Sequence, residues 1–185
     1  MIRCSWAEMN PLMEKYHDEE FGVPVFDDQK IFEMLVLELN QAGLSWQTIL
    51  NKRENFRQAF GNFDIQTVAD FTPEQVEILV QDAGIIRHRG KIQAAIVNAQ
   101  QILIMEKEYG SFQSWLWDFC GGKVIDHHFQ TTAEIPSFDK LAVSLSKELK
   151  KRGFKFVGPT TMYSFLQAVG IYNDHVVTCF RYGEV

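Results

Sequence analysis

Four side chains able to ligate a metal ion lie in two widely separated pairs, Cys4 with His17 and His175 with Cys179. In a helix, the four-residue spacing of His175 and Cys179 puts both side chains on one face, in reach of a single ion. Two thiolates and two imidazoles complete a tetrahedral zinc shell with no open position, which is the donor set of a structural rather than a catalytic ion. Such an ion would tie the two ends of the chain together. The same residues also read as two buried cysteines and two ordinary histidines. Cys120, beside Gly121 and Gly122, has no partner and reads as a small buried residue. Three cysteines are an odd number for a disulfide framework, and none is expected.

A second candidate is Glu38, flanked by Leu37 and Leu39 and falling near the stripe of Ile31, Met34 and Leu35 on a helix. A buried carboxylate is costly unless paired or used. Trp6, Tyr16 and Trp46 could line a pocket with it; alternatively Trp46 is core and Glu38 lies at the surface beside Lys30 or Lys52. A third candidate is the run Lys150-Lys151-Arg152-Gly153-Phe154-Lys155-Phe156-Val157-Gly158-Pro159-Thr160-Thr161. Here Gly153 can close one helix, Gly158 allows close backbone approach, and Pro159 can open the next helix, whose free amides suit a phosphate. Lys147, Lys150, Lys151, Arg152 and Lys155 place five positive charges within nine residues. A second basic patch, Arg87-His88-Arg89-Gly90-Lys91, also sits at a glycine. Either is a solvated basic face when taken alone, but together they point to nucleic-acid backbone.

These residues must be positioned by helices. Apolar residues recur at three- and four-residue intervals between good caps, and no stretch sustains the alternation of a half-buried strand. An all-helical chain is expected. Thr72-Pro73-Glu74-Gln75 is a capping box that opens a helix ending at Gly84. A helix over 91–109 carries Ile92, Ile96, Ala99 and Leu103 on one stripe and stops at Gly110. Others are expected near 28–41, 46–60, 112–119, 138–152, 160–169 and 174–181, and the polar segment 121–136 is the least defined. With 185 residues, 46% of them apolar, and no repeat or linker, the chain reads as one unit over 1–185. A net charge of −6 excludes a uniformly cationic nucleic-acid wrapper. No apolar run reaches the roughly 20 residues that span a bilayer, and no signal peptide opens the chain, so a cytoplasmic protein without membrane contact is expected.

Read together, the segments Arg3-Cys4-Ser5-Trp6, Tyr16-His17-Asp18-Glu19-Glu20, Gln41-Ala42-Gly43-Leu44-Ser45-Trp46, Lys52-Arg53-Glu54-Asn55, 82–92, 150–158 and Asn173-Asp174-His175 closely resemble the DNA-3-methyladenine glycosylase I family of bacterial base-excision repair enzymes. The resemblance covers nearly the whole chain. It implies an all-α helix-hairpin-helix DNA glycosylase with a structural zinc held by Cys4, His17, His175 and Cys179. By the same carry-over, Glu38 and Tyr16 hydrogen-bond an extruded base, Trp46 and Trp6 pack around it, and Gly43 and Leu44 lie against the gap left in the duplex. The hairpin from Gly153 to Gly158, with Lys155 and Thr160, then holds the DNA backbone.

Two positions depart from the family: Phe21 stands where Trp is common, and Met13 where some members have Tyr. An aromatic face survives at Phe21 for substrate contact and disappears at Met13. The implied reaction is hydrolysis of the N-glycosidic bond of N3-methyladenine in alkylated double-stranded DNA, leaving an abasic site. Bifunctional relatives in the wider superfamily carry a lysine nucleophile where this chain has Thr160, and a hydroxyl forms no Schiff base. Asp174 falls near a catalytic aspartate of that superfamily but also suits a helix cap. No obligate protein partner is implied. A zinc-stapled DNA-binding module without catalysis predicts binding without base release, and a protein-interaction domain predicts no salt-dependent DNA affinity.

Overall fold

In a computed structural model that describes all 185 residues, nine α-helices carry the fold and the only strands are a two-residue pair. The helices are α1 (Pro11–Glu19), α2 (Asp28–Gln41), α3 (Trp46–Ala59), α4 (Ile65–Ala69), α5 (Pro73–Leu79), α6 (Arg89–Tyr109), α7 (Phe112–Phe119), α8 (Lys140–Lys151) and α9 (Pro159–Ala168). Their starts are chemically explicit. Asp27 caps α2, Ser45 caps α3, and the Thr72/Gln75 box opens α5 as the sequence predicts. Helix α2 forms the centre: 31–40 is buried without interruption, and α3, α6, α7 and α9 pack around it. Such all-round burial marks a core helix rather than an amphipathic surface one.

Helices α8 and α9 are joined by a tight turn. Gly153 adopts φ +95°, and Pro159 occupies the first turn of α9, as expected. At the far end of α9, Gly170 has φ +72°, and a Cβ there would fall 2.2 Å from the carbonyl carbon of Val23. Only glycine lets the end of α9 lie directly against the connection between α1 and α2. Val25 N donates to Val169 O at 3.1 Å across that contact.

Three expectations need correction. The helix over 174–181 is absent; Val176, Val177 and Thr178 are successive β-branched residues, poor helix formers, and the chain instead runs through turns such as Cys179 N to Val176 O at 2.7 Å. The helix expected to reach Gly84 ends at Leu79, because Asp82 Oδ1 accepts from Gly84 N at 2.7 Å and closes a side-chain turn. The segment 121–136 holds β1 (Ile125–Asp126), which pairs in parallel with β2 (Tyr172–Asn173), so it is fixed to the end of the chain. Helices α1 and α4 were not anticipated. For α1 the signal was present: Asn10 accepts from Leu12 N and Met13 N, both at 3.0 Å, and Pro11 follows it.

Candidate active site

Glu38 sits one turn before the end of α2, only 5% exposed, at the edge of a cavity of about 420 Å³. The cavity is lined by Trp6, Met13, Tyr16, Phe21, Glu38, Gln41, Trp46, Thr132, Ile135, Ser164 and Gln167, drawn from five separate stretches of chain. Every residue the sequence assigned to base binding is among them. Their aromatic rings form a wall: Tyr16 lies 5.1 Å from Trp46, and Trp6 meets Phe21 edge-on at 4.9 Å. Gln41, Thr132, Ile135, Ser164 and Gln167 were missed, since each joins the pocket through tertiary contact and none carries a local sequence signal.

The electrostatics single out Glu38. Its neighbour on the same helix, Glu33, accepts from Arg53 at 2.8 Å, and Arg53 also grips Glu20 through two 2.8 Å bonds. Arginine holds Glu20 down at about 2 despite burial. Glu38 has no such cation; its Oε2 is buried without a hydrogen-bond partner, and burial raises its carboxyl to about 8. Trp46 Nε1 is also buried and unpartnered. An apolar cavity with two unanswered polar atoms, one able to accept and one to donate, is built for a flat polar ligand.

Cys4, His17, His175 and Cys179 are all buried, and their ligand atoms lie within 4.8 Å of one another. Cys4 Sγ is 3.7 Å from His175 Nδ1, and Cys179 Sγ is 3.4 Å from His17 Nε2 and 3.6 Å from His175 Nδ1. A tetrahedral ion bound at about 2.0 to 2.3 Å requires sulfur and nitrogen ligands roughly 3.5 Å apart, so the four fit a metal ion. The remaining ring nitrogens are also held: His17 Nδ1 meets Asp18 Oδ1 at 2.8 Å, and His175 Nε2 donates to Phe21 O at 2.9 Å. This cluster backs the aromatic wall. Trp6 lies 5.3 Å from His17 and Phe21 lies 5.0 Å from His175, while Tyr16 directly precedes His17.

The other candidates lie outside the pocket. Gly43 and Leu44 form the exposed turn between α2 and α3, and Leu44 shares a surface hollow with Lys52 and Arg87. Lys155, Gly158 and Thr160 belong to the turn into α9, where Gly158 leaves the first amides of the helix without a side-chain cap. Space around Gly158 is open, so close approach within the protein does not explain this glycine. No helix follows Asp174, which therefore caps nothing. It is fully buried, accepting from Tyr163 and Gln167 at 2.7 Å and meeting His127 Nδ1 at 2.6 Å. Asp174 thus ties His127, the residue after β1, to α9 and holds Gln167 at the pocket wall.

Residues 6–182 match the family model described as methyladenine glycosylase. The chain is 53% identical over 182 residues to DNA-3-methyladenine glycosylase 1 of Escherichia coli strain K12, covering 98% of this chain and 97% of that protein. It superposes with a TM-score of 0.94 on the crystal structure of a 3-methyladenine DNA glycosylase I, at 50% identity over 97% of this chain and 98% of that one. It also resembles a variant of 3-methyladenine DNA glycosylase I solved in complex with 3-methyladenine, at 38% identity, a TM-score of 0.94 and 97% coverage of both chains.

Proposed function

Since this chain belongs to the methyladenine glycosylase family and is a glycosylase that excises alkylated adenine from DNA, we propose that Glu38 and Tyr16 recognise the extruded N3-methyladenine inside the aromatic pocket. The observation that carries this reading is the unpartnered, buried Oε2 of Glu38.

An enzyme cannot reach the glycosidic bond inside a duplex, so the base must first leave the stack. A methyl group at N3 makes the base cationic and a good leaving group, so little general-acid help is needed. Selectivity then follows from binding. Tyr16 and Trp46 offer electron-rich faces, each worth roughly 0.5 to 2 kcal/mol to a desolvated cation. Trp6 and Phe21 close the wall behind them. Arrival of the cation favours ionised Glu38, whose carboxylate accepts from the donor edge of the base for roughly 1.5 to 3 kcal/mol. Neutral adenine gains no cation term and leaves Glu38 protonated, so it is rejected. Water completes the hydrolysis. No lysine lines the pocket, and Thr160 stands on α9 with a hydroxyl, so the enzyme is monofunctional and leaves an abasic site.

Duplex DNA carrying alkylated bases is the partner, engaged through a helix-hairpin-helix element made of α8, α9 and their turn. Lys155, Gly158 and Thr160 there meet the phosphate backbone, the free amides of α9 supplying donors. Gly43 and Leu44 fill the space the flipped base vacates. Cys4, His17, His175 and Cys179 hold a structural zinc, which with four protein ligands supplies cross-linking rather than chemistry. Residues 1–185 act as one unit in the cytoplasm. No helix is long and apolar enough to cross a membrane.

The deciding experiment is chromatographic detection of free 3-methyladenine released from methylated duplex DNA, with wild type beside Glu38→Gln. Release by wild type and a loss of at least about tenfold in the variant are expected, since the charge-assisted bond is replaced by a neutral one. Undiminished release by Glu38→Gln would remove the carboxylate from the mechanism, and a borohydride-trapped covalent adduct would contradict the monofunctional assignment.

A further inference from the structure

Lys91 lies in the first turn of α6 yet is only 6% exposed, and its ammonium donates to two backbone carbonyls at the end of α2, Asn40 O at 2.9 Å and Ala42 O at 2.8 Å. No carboxylate contributes to its environment, and burial alone pulls its ammonium below the ordinary lysine range. A buried lysine without an ion pair is rare and costly. Helix ends can be finished with glycine or water at no such cost.

The turn it grips explains the expense. Leu44 N donates to Gln41 O at 2.6 Å, Ala42 has φ −49° and ψ 112°, and Gly43 has φ +82°. These are the angles of a type II turn, which needs glycine at its third position. Types I and II share their ends and differ by a flip of the central peptide. Here the oxygen of that peptide is Ala42 O, the atom Lys91 holds. Nothing crowds the Gly43 Cβ position, so packing around Gly43 does not choose between the two forms.

We propose that Lys91 is a positioning residue for excision from duplex DNA: by holding Ala42 O it selects the type II form of the 41–44 turn and so sets which side of the Ala42–Gly43 peptide, next to Leu44, faces the duplex. This rests on the reading that Gly43 and Leu44 occupy the gap in the duplex. Without the ammonium the central peptide is free to flip, which exchanges the sides on which the Ala42 carbonyl and the Gly43 amide are presented beside Leu44, while Glu38, a full turn earlier in α2, keeps its place.

The test compares two readouts in Lys91→Met, which keeps the aliphatic stem. One is the single-turnover rate of 3-methyladenine release from duplex DNA; the other is the Kd for free 3-methyladenine, read by tryptophan fluorescence. A loss of at least about tenfold in the first with a change under about twofold in the second is expected, because misplacement of a contact group costs rate without touching the pocket. Equal losses in both readouts would mean that Lys91 merely supports α2, and an unchanged duplex rate would equally overturn the proposal. If Lys91→Met does not fold, Lys91→Gln, which retains a donor on a shorter arm, is judged by the same ratio. Wild type that neither binds the free base nor releases it would instead defeat the functional reading itself.

Discussion

Of the two glutamates on α2, Glu33 faces Lys30, Arg53 and Arg57, whereas Glu38 faces aromatic rings and an unanswered oxygen. That difference predicts a pH signature. The carboxyl of Glu38 rises from 4.5 to about 8 on folding, so the folded protein binds a proton the unfolded chain releases. Its contribution to stability is complete below pH 4.5 and is lost as pH climbs through about 8. Glu38→Gln should therefore stabilise the ligand-free protein at pH 9 and change little near pH 4.5, measured by denaturant midpoints at both. A stabilisation equal at both pH values would show that Glu38 does not titrate in this window. The burial of Glu38 was legible in its apolar neighbours, and so was the aromatic character of the pocket. The role of Asp174 was not: three partners, His127, Tyr163 and Gln167, reach it from elements distant in sequence, and a cap needs a following helix that three β-branched residues prevent.

At the scale of elements, the hairpin between α8 and α9 is clamped from two sides. Fully buried Asn98 of α6 receives Lys155 N at 2.8 Å and donates to Lys155 O at 3.1 Å, while Ser146 donates to Val157 O at 2.6 Å. Between these anchors Phe156 is held at φ +56° with its ring turned outward, a conformation that bulky residues seldom adopt. Asn98→Ala strips Lys155 of both partners and should cost roughly 1 to 3 kcal/mol of unfolding free energy. It should also weaken duplex affinity while leaving the Kd for free 3-methyladenine unchanged. Loss of free-base binding in step with duplex binding would mean that the hairpin also supports the pocket. The glycines and proline of this turn announced it in the sequence. The Asn98 clamp did not announce itself, because an asparagine amid a helical apolar pattern reads as an ordinary exposed position until α8 and α9 are packed against it.

At the scale of the molecule, the Cys4, His17, His175 and Cys179 cluster joins chain segments that no local contact would unite. Its rings touch Trp6 and Phe21, so an ion held there would be coupled to pocket shape through packing. Removing the proposed zinc with a chelator under mildly denaturing conditions should lower the thermal midpoint and abolish binding of free 3-methyladenine, and added zinc should restore both. Metal-free protein with an unchanged midpoint and full binding would show the cluster to be dispensable. The pairing of the two halves was suggested by residue type. The turns that present His175 and Cys179 were not, because a four-residue interval satisfies a helix and a pair of turns equally well. The wide separation of the pairs bears on how the enzyme is made. Cys4 and His17 precede His175 and Cys179 by more than 150 residues, so a nascent polypeptide exposes the first pair well before the second and the cluster behind the pocket wall is completed late. Synthesis interrupted upstream of Cys179 therefore yields fragments with an incomplete ligand set.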